Sequence, residues 1–66
     1  MKIKVNGDMK ELPDGATIDA LLELLSIKAQ GIAVEVNREI VPKRLFSGTA
    51  LKEGDAVEIV RMVGGG

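Results

Sequence analysis

The stretch Ala56-Val57-Glu58-Ile59-Val60-Arg61-Met62-Val63, followed by Gly64-Gly65-Gly66, decides how this chain must fold. Val57 and Ile59 alternate with Glu58, the two-residue period of a strand that buries one face. From Val60 onward the alternation fails, because Val60, Met62 and Val63 put apolar side chains on both faces. Such a strand either lies in the centre of a sheet or keeps one face for a partner. The three glycines add no packing, and glycine loses more freedom on ordering than any other residue. What they offer is a thin segment without side chains, suited to threading a narrow channel.

The rest of the chain supplies the neighbours that this strand needs. Met1–Val5 alternates, with Ile3 and Val5 on one face, and Asn6-Gly7 is a strong hairpin signal because both residues tolerate positive φ. A return strand over Met9–Leu12 follows. A strict two-residue turn would set Val5 against Asp8 and Ile3 against Lys10, so a longer or bulged loop that lets Met9 or Leu12 face the core is expected. Pro13-Asp14-Gly15 stops that strand, and Thr17 is placed to cap a helix whose stripe is Ile18, Leu21, Leu22 and Leu25. Ser26 to Gln30 is expected to carry the helix exit, closed by Gly31. Ile32, Val34 and Val36 define a third strand, and Asn37-Arg38 turns it into Ile40-Val41, which Pro42 ends. Lys43-Arg44-Leu45-Phe46 is too short for a stable helix, so Leu45 and Phe46 are expected to plug the core from an irregular or 3₁₀ turn.

The order β-β-α-β-β-β gives an α+β chain with one helix to cover one face of a mixed sheet. If the last strand lies beside the first, the two run parallel, because a hairpin, a crossover helix and a second hairpin separate them. That arrangement is the β-grasp. Residues 1–63 are read as a single β-grasp domain and 64–66 as a flexible Gly-Gly-Gly tail.

Composition narrows the function. A chain of 66 residues has no Cys and no His, which removes disulfides and the usual ligands of zinc, haem and iron–sulfur sites. The commonest general base and the most reactive nucleophile go with them, so autonomous catalysis is not expected. A net charge of −1 and a single aromatic residue, Phe46, argue against a nucleic-acid partner. No apolar run spans a membrane and no leader is apparent, so a cytoplasmic protein without membrane contact is expected.

Several motifs together resemble a known family. They are Met1-Lys2-Ile3-Lys4-Val5-Asn6-Gly7, Leu12-Pro13-Asp14-Gly15-Ala16-Thr17, Leu21-Leu22-Glu23-Leu24-Leu25, Val36-Asn37-Arg38-Glu39-Ile40-Val41-Pro42, Gly54-Asp55-Ala56-Val57-Glu58-Ile59-Val60 and Val63-Gly64-Gly65-Gly66. In this order they resemble the ThiS-type sulfur carriers of thiamine biosynthesis, small ubiquitin-like β-grasp proteins. Three positions depart from the family pattern: Lys10 where an apolar residue is common, Arg38 where a small or amide residue is usual, and Phe46 where Trp is frequent.

The resemblance implies a chemistry. An ATP-dependent, E1-like adenylyltransferase converts the Gly66 carboxylate to an acyl-adenylate, and sulfur from a cysteine desulfurase displaces AMP. The resulting thiocarboxylate delivers sulfur to thiazole synthase. Gly66 then bears the modification, Gly64 and Gly65 give access to it, and ATP and Mg²⁺ belong to the activating enzyme rather than to this chain. The open alternatives are a carrier of the molybdopterin synthase small-subunit type, a ubiquitin-like modifier, and a passive β-grasp interaction module.

Two further groups have competing readings. Val60, Met62 and Val63 are either core or an apolar surface that docks on partners, for which a flexible Met62 is suited. Lys43, Arg44 and Arg61 are either ordinary solvated charge or a basic rim for an acidic partner surface. Glu53, Asp55 and Glu58 read as solvated, and Glu53 with Asp55 makes a weak acid–base pair without a pocket or a His.

Overall fold

The computed structural model describes residues 1–62. The strands are β1 (Lys2–Val5), β2 (Asp8–Glu11), β3 (Ile32–Val36), β4 (Glu39–Val41) and β5 (Ala56–Arg61), with one helix, α1 (Ile18–Leu24), and a 3₁₀ segment at Lys43–Gly48. They form one five-stranded sheet in the order β2-β1-β5-β3-β4. β5 runs parallel to β1, pairing Lys4 with Ala56 and Val5 with Val57, and antiparallel to β3. The last strand therefore occupies the centre, as the β-grasp requires.

Side-chain alternation splits the sheet into a covered and an open face. Ile3, Val5, Ile32, Val34 and Val57 point toward α1 and pack with Ile18, Leu21, Leu22 and Phe46. Two buried leucines come from outside regular structure: Leu12 follows β2, and Leu51 lies in the loop before β5. Among the described residues no polar side chain is buried.

Both hairpins are two-residue turns with positive φ at both positions, Asn6 and Gly7 in one and Asn37 and Arg38 in the other. The first corrects the expected bulge, since Val5 does face Asp8 and Ile3 does face Lys10. No penalty arises, because β2 is an edge strand that is exposed throughout and lies beyond the cover of α1. Met9 is exposed beside Lys4 on the open face, whereas Leu12 does reach the core.

The helix begins where the sequence places it, with the Thr17 hydroxyl accepting from the Ala20 amide at 3.2 Å. Its end comes earlier than expected. The helix is closed by Ser26, left-handed at φ +57°, rather than by Gly31, with the Ser26 amide bonded to the Glu23 carbonyl and the Ile27 amide to the Leu22 carbonyl. This is the paired closure of a Schellman motif, with Ile27 packing back on the core. Phe46 plugs the core from the 3₁₀ segment, but Leu45 does not, being 41% exposed.

The two turn asparagines also hold β5. Asn6 Oδ1 accepts from the Ile59 amide at 2.8 Å, and its Nδ2 donates to the Ile59 carbonyl at 3.2 Å. Asn37 Oδ1 accepts from the Ala56 amide at 3.0 Å, while the Asn37 amide donates to the Ala56 carbonyl at 2.7 Å.

Asn6→Gly keeps the φ that the turn needs and removes both bonds to Ile59. It is expected to lower the unfolding free energy by about 1 kcal/mol in urea titration, and unchanged stability would show that the bracket contributes nothing. Ser26→Gly relieves a left-handed non-glycine residue and is expected to raise the same quantity by about 0.5–1 kcal/mol.

Candidate functional site

The site is the end of β5, where the central strand leaves the sheet. Its register sends alternate side chains to opposite faces: Val57, Ile59 and Arg61 share the helix side, while Ala56, Glu58 and Val60 lie on the open face. Val60 stands opposite Ala33, and Met62 is anchored by its amide donating to the Gly31 carbonyl at 2.8 Å.

Val60 is 48% exposed and Met62 is 61% exposed, so the reading of these two as core is set aside. Ile40, on β4, is 72% exposed. It shares a groove with Ala33, Pro42 and Met62. Together these residues make an apolar strip beside the strand exit, on the side that no helix covers. Val63, Gly64, Gly65 and Gly66 lie outside the described residues.

Cations flank the strip. Lys43 lines the same groove as Met62 and Ile40. On the helix side, Arg61 shares a second groove with Lys28, Ser26 and Gln30. Arg44 follows Lys43 in the 3₁₀ segment and is exposed. Lys28 is the member that sequence reasoning missed, because a lone lysine in a loop acquires meaning only once the topology sets that loop beside β5.

The acidic residues have structural duties at the other end. Glu53 accepts from the Lys2 amide at 2.9 Å, and Asp55 accepts from the Lys52 amide at 2.8 Å and from Asn37 Nδ2 at 3.0 Å. Asp55 thus closes the turn that begins at Lys52, and Glu53 ties that turn to the start of β1. Glu58 stands directly opposite Glu35 on the open face, a like-charge pairing that stabilises neither strand.

Among the described residues the geometry offers an exposed apolar strip with cations near it at one strand end, the makings of a recognition surface. Among the described residues no helix is long and apolar enough to cross a membrane.

Residues 3–66 match the model of the ThiS family. A thiazole synthase of Paramagnetospirillum magneticum is 41% identical over 66 residues, which is 100% of this chain and 20% of that protein, so the chain spans about a fifth of this relative's length. The sulfur carrier protein ThiS of Bacillus subtilis is 37% identical over 65 residues, covering 97% of this chain and 98% of that one. The crystal structure of a thiamine biosynthesis protein (ThiS) from Geobacter metallireducens aligns over 100% of both chains with a TM-score of 0.88 and 33% identity.

Met62→Asp places a charge on an already exposed position and is expected to change the unfolding free energy by no more than about 0.5 kcal/mol. A loss of several kcal/mol in the same denaturant titration would return Met62 to the core.

Proposed function

The chain belongs to the ThiS family, and from that premise we propose that it is the sulfur carrier for thiazole formation in thiamine biosynthesis, with the Gly66 carboxylate as the group that is modified. The observation that carries this reading is the family match, which continues through the glycines to Gly66 on a chain whose described residues offer recognition surfaces but no catalytic constellation.

The chemistry follows from what a carboxylate lacks. It is a poor acyl donor because its leaving group would be oxide, so it must first be activated. An ATP-dependent adenylyltransferase joins the Gly66 carboxylate to AMP and releases pyrophosphate. A cysteine desulfurase supplies its sulfur as a persulfide, whose terminal sulfur attacks the acyl carbon and expels AMP. A thiol reductant then cleaves the S–S bond of the resulting acyl disulfide, leaving as a disulfide with the former persulfide carrier. The thiocarboxylate left on Gly66 is the sulfur donor to thiazole synthase. The bond-making groups belong to the partners, and this chain supplies the terminus and the surface by which it is found.

Each part of the chain has a place in that scheme. Gly64 and Gly65 let the terminus pass through a channel too narrow for side chains. The strip of Val60, Met62, Ile40 and Ala33 docks on the partner, and desolvation of such a strip is the main source of affinity. Met62 suits a surface used in turn by two partners, since its unbranched thioether adapts to different contours. Likeness to both sulfur carriers and thiazole synthases favours thiazole formation over the molybdopterin-type and modifier alternatives.

Intact-mass spectrometry tests the reading after incubation with ATP, Mg²⁺, the adenylyltransferase, the desulfurase, cysteine and a thiol reductant. The expected product is heavier by the replacement of one oxygen with sulfur at Gly66, and deletion of Gly66 is expected to abolish it while the melting curve stays unchanged. An unmodified wild-type chain under these conditions would overturn the reading.

A further inference from the structure

Three cations lie at the end of β5, and among the described residues no carboxylate lines either groove that holds them. Lys28 and Arg61 share the groove on the helix side with Ser26, Ile27, Gln30 and Ile32. Lys43 lines the groove beside Met62, Ile40 and Pro42. All three side chains are exposed. The one ion pair among the described residues joins the Met1 amino group to Asp14, so none of the three is neutralised there by a carboxylate of its own chain.

This distribution is uneven for a chain with 9 cations, 10 carboxylates and a net charge of −1. The strand exit is basic while the remainder of the molecule carries an excess of acid. Solvation alone does not call for such sorting. Concentrating like charge around one spot costs self-repulsion, and a complementary surface converts that repulsion into faster, oriented encounter.

We infer that Lys28, Lys43 and Arg61 form a basic collar that steers the β5 end onto a carboxylate-rimmed protein surface, the docking face of the adenylyltransferase. This rests on the carrier reading and adds the chemistry of the partner's rim. The apolar strip lies at the same strand end, beside Lys43 and across the sheet from Lys28 and Arg61. The same encounter that pairs the rim charges therefore buries Met62 and Ile40 and sets the chain exit over the partner's active site. Rim charges of this kind act on association rate more than on the tightness of the final complex.

The inference commits to an acidic protein rather than a nucleic acid. The overall charge is negative and the single aromatic ring, Phe46, is buried, so neither a broad basic face nor a stacking platform is present.

The test uses the full chain and its cognate adenylyltransferase, with adenylation followed by ATP–pyrophosphate exchange across a range of NaCl. One variant carries Lys28→Glu, Lys43→Glu and Arg61→Glu. A control of equal net charge carries Lys2→Glu, Lys10→Glu and Lys52→Glu, positions that line neither collar groove. At low salt the collar variant is expected to lose about tenfold or more in kcat/KM for the carrier, with kcat nearly unchanged, and the control to stay within about twofold. Raising the salt toward 1 M, where the Debye length falls to about 3 Å, is expected to bring wild type and collar variant together. Should the collar variant melt early, the neutral set Lys28→Gln, Lys43→Gln and Arg61→Gln replaces it, with a smaller loss in the same direction expected. Equal losses in collar and control variants, or no loss in either, would overturn the collar while wild-type activity upholds the carrier reading. A wild-type chain that is not adenylated overturns both.

Discussion

Everything in this molecule depends on β5 being held at the centre of the sheet. A last strand at an edge would leave its backbone half unpaired and would place its end beside solvent on two sides. Here β1 and β3 take up the backbone bonds on both sides, and two asparagine side chains reach from the hairpin turns to fix its register at Ala56 and Ile59. The same asparagines accept the positive φ that the turns demand. One residue type thus shapes the hairpins and clamps the strand between them, and the position from which the chain leaves the sheet is set by both.

Burial and charge are sorted around that strand. α1 and the 3₁₀ segment cover one face, where Ile3, Val34, Val57 and Phe46 meet. A chain this short buries only about 60% of the surface its unfolded form exposes, so it has little apolar area to leave in water without reason. Yet Val60, Met62 and Ile40 stay exposed at the exit of β5 with Lys43 beside them, while at the far end Asp55 closes a turn and Glu53 ties it to β1. An apolar strip with a charged surround, placed at a chain exit, is the arrangement of a recognition surface.

Much of this was legible in the sequence. Alternation in Met1–Val5 and Ile32–Val36, the Thr17 cap, the Asn-Gly turn and the parallel pairing of first and last strands all follow from period, capping and connection rules. The misreadings share a cause: local pattern does not say what the tertiary structure covers. Lys10 opposite Ile3 looked unfavourable only on the assumption that α1 reaches β2, which it does not. Leu45 is as apolar as Phe46, but the 3₁₀ geometry turns only one of them inward. Ser26 closes the helix although a glycine was available five residues later, because the apolar stripe runs out at Leu25 and Ile27 must return to the core. At the site, Met62 was suspected as surface from its chemistry, whereas Lys28 joined the collar only through topology. Val63 and the three glycines lie outside the described residues, and their part in the account rests on chemistry and kinship.

The central claim is that sulfur carried on Gly66 becomes the sulfur of the thiazole ring, and isotope transfer tests it most directly. Carrier bearing a ³⁵S thiocarboxylate at Gly66 would be purified and given to thiazole synthase with the other thiazole precursors, without any free sulfide. Label is expected in the thiazole ring in proportion to carrier consumed. Ring formation without label, or label retained on the carrier while the ring forms, would contradict it.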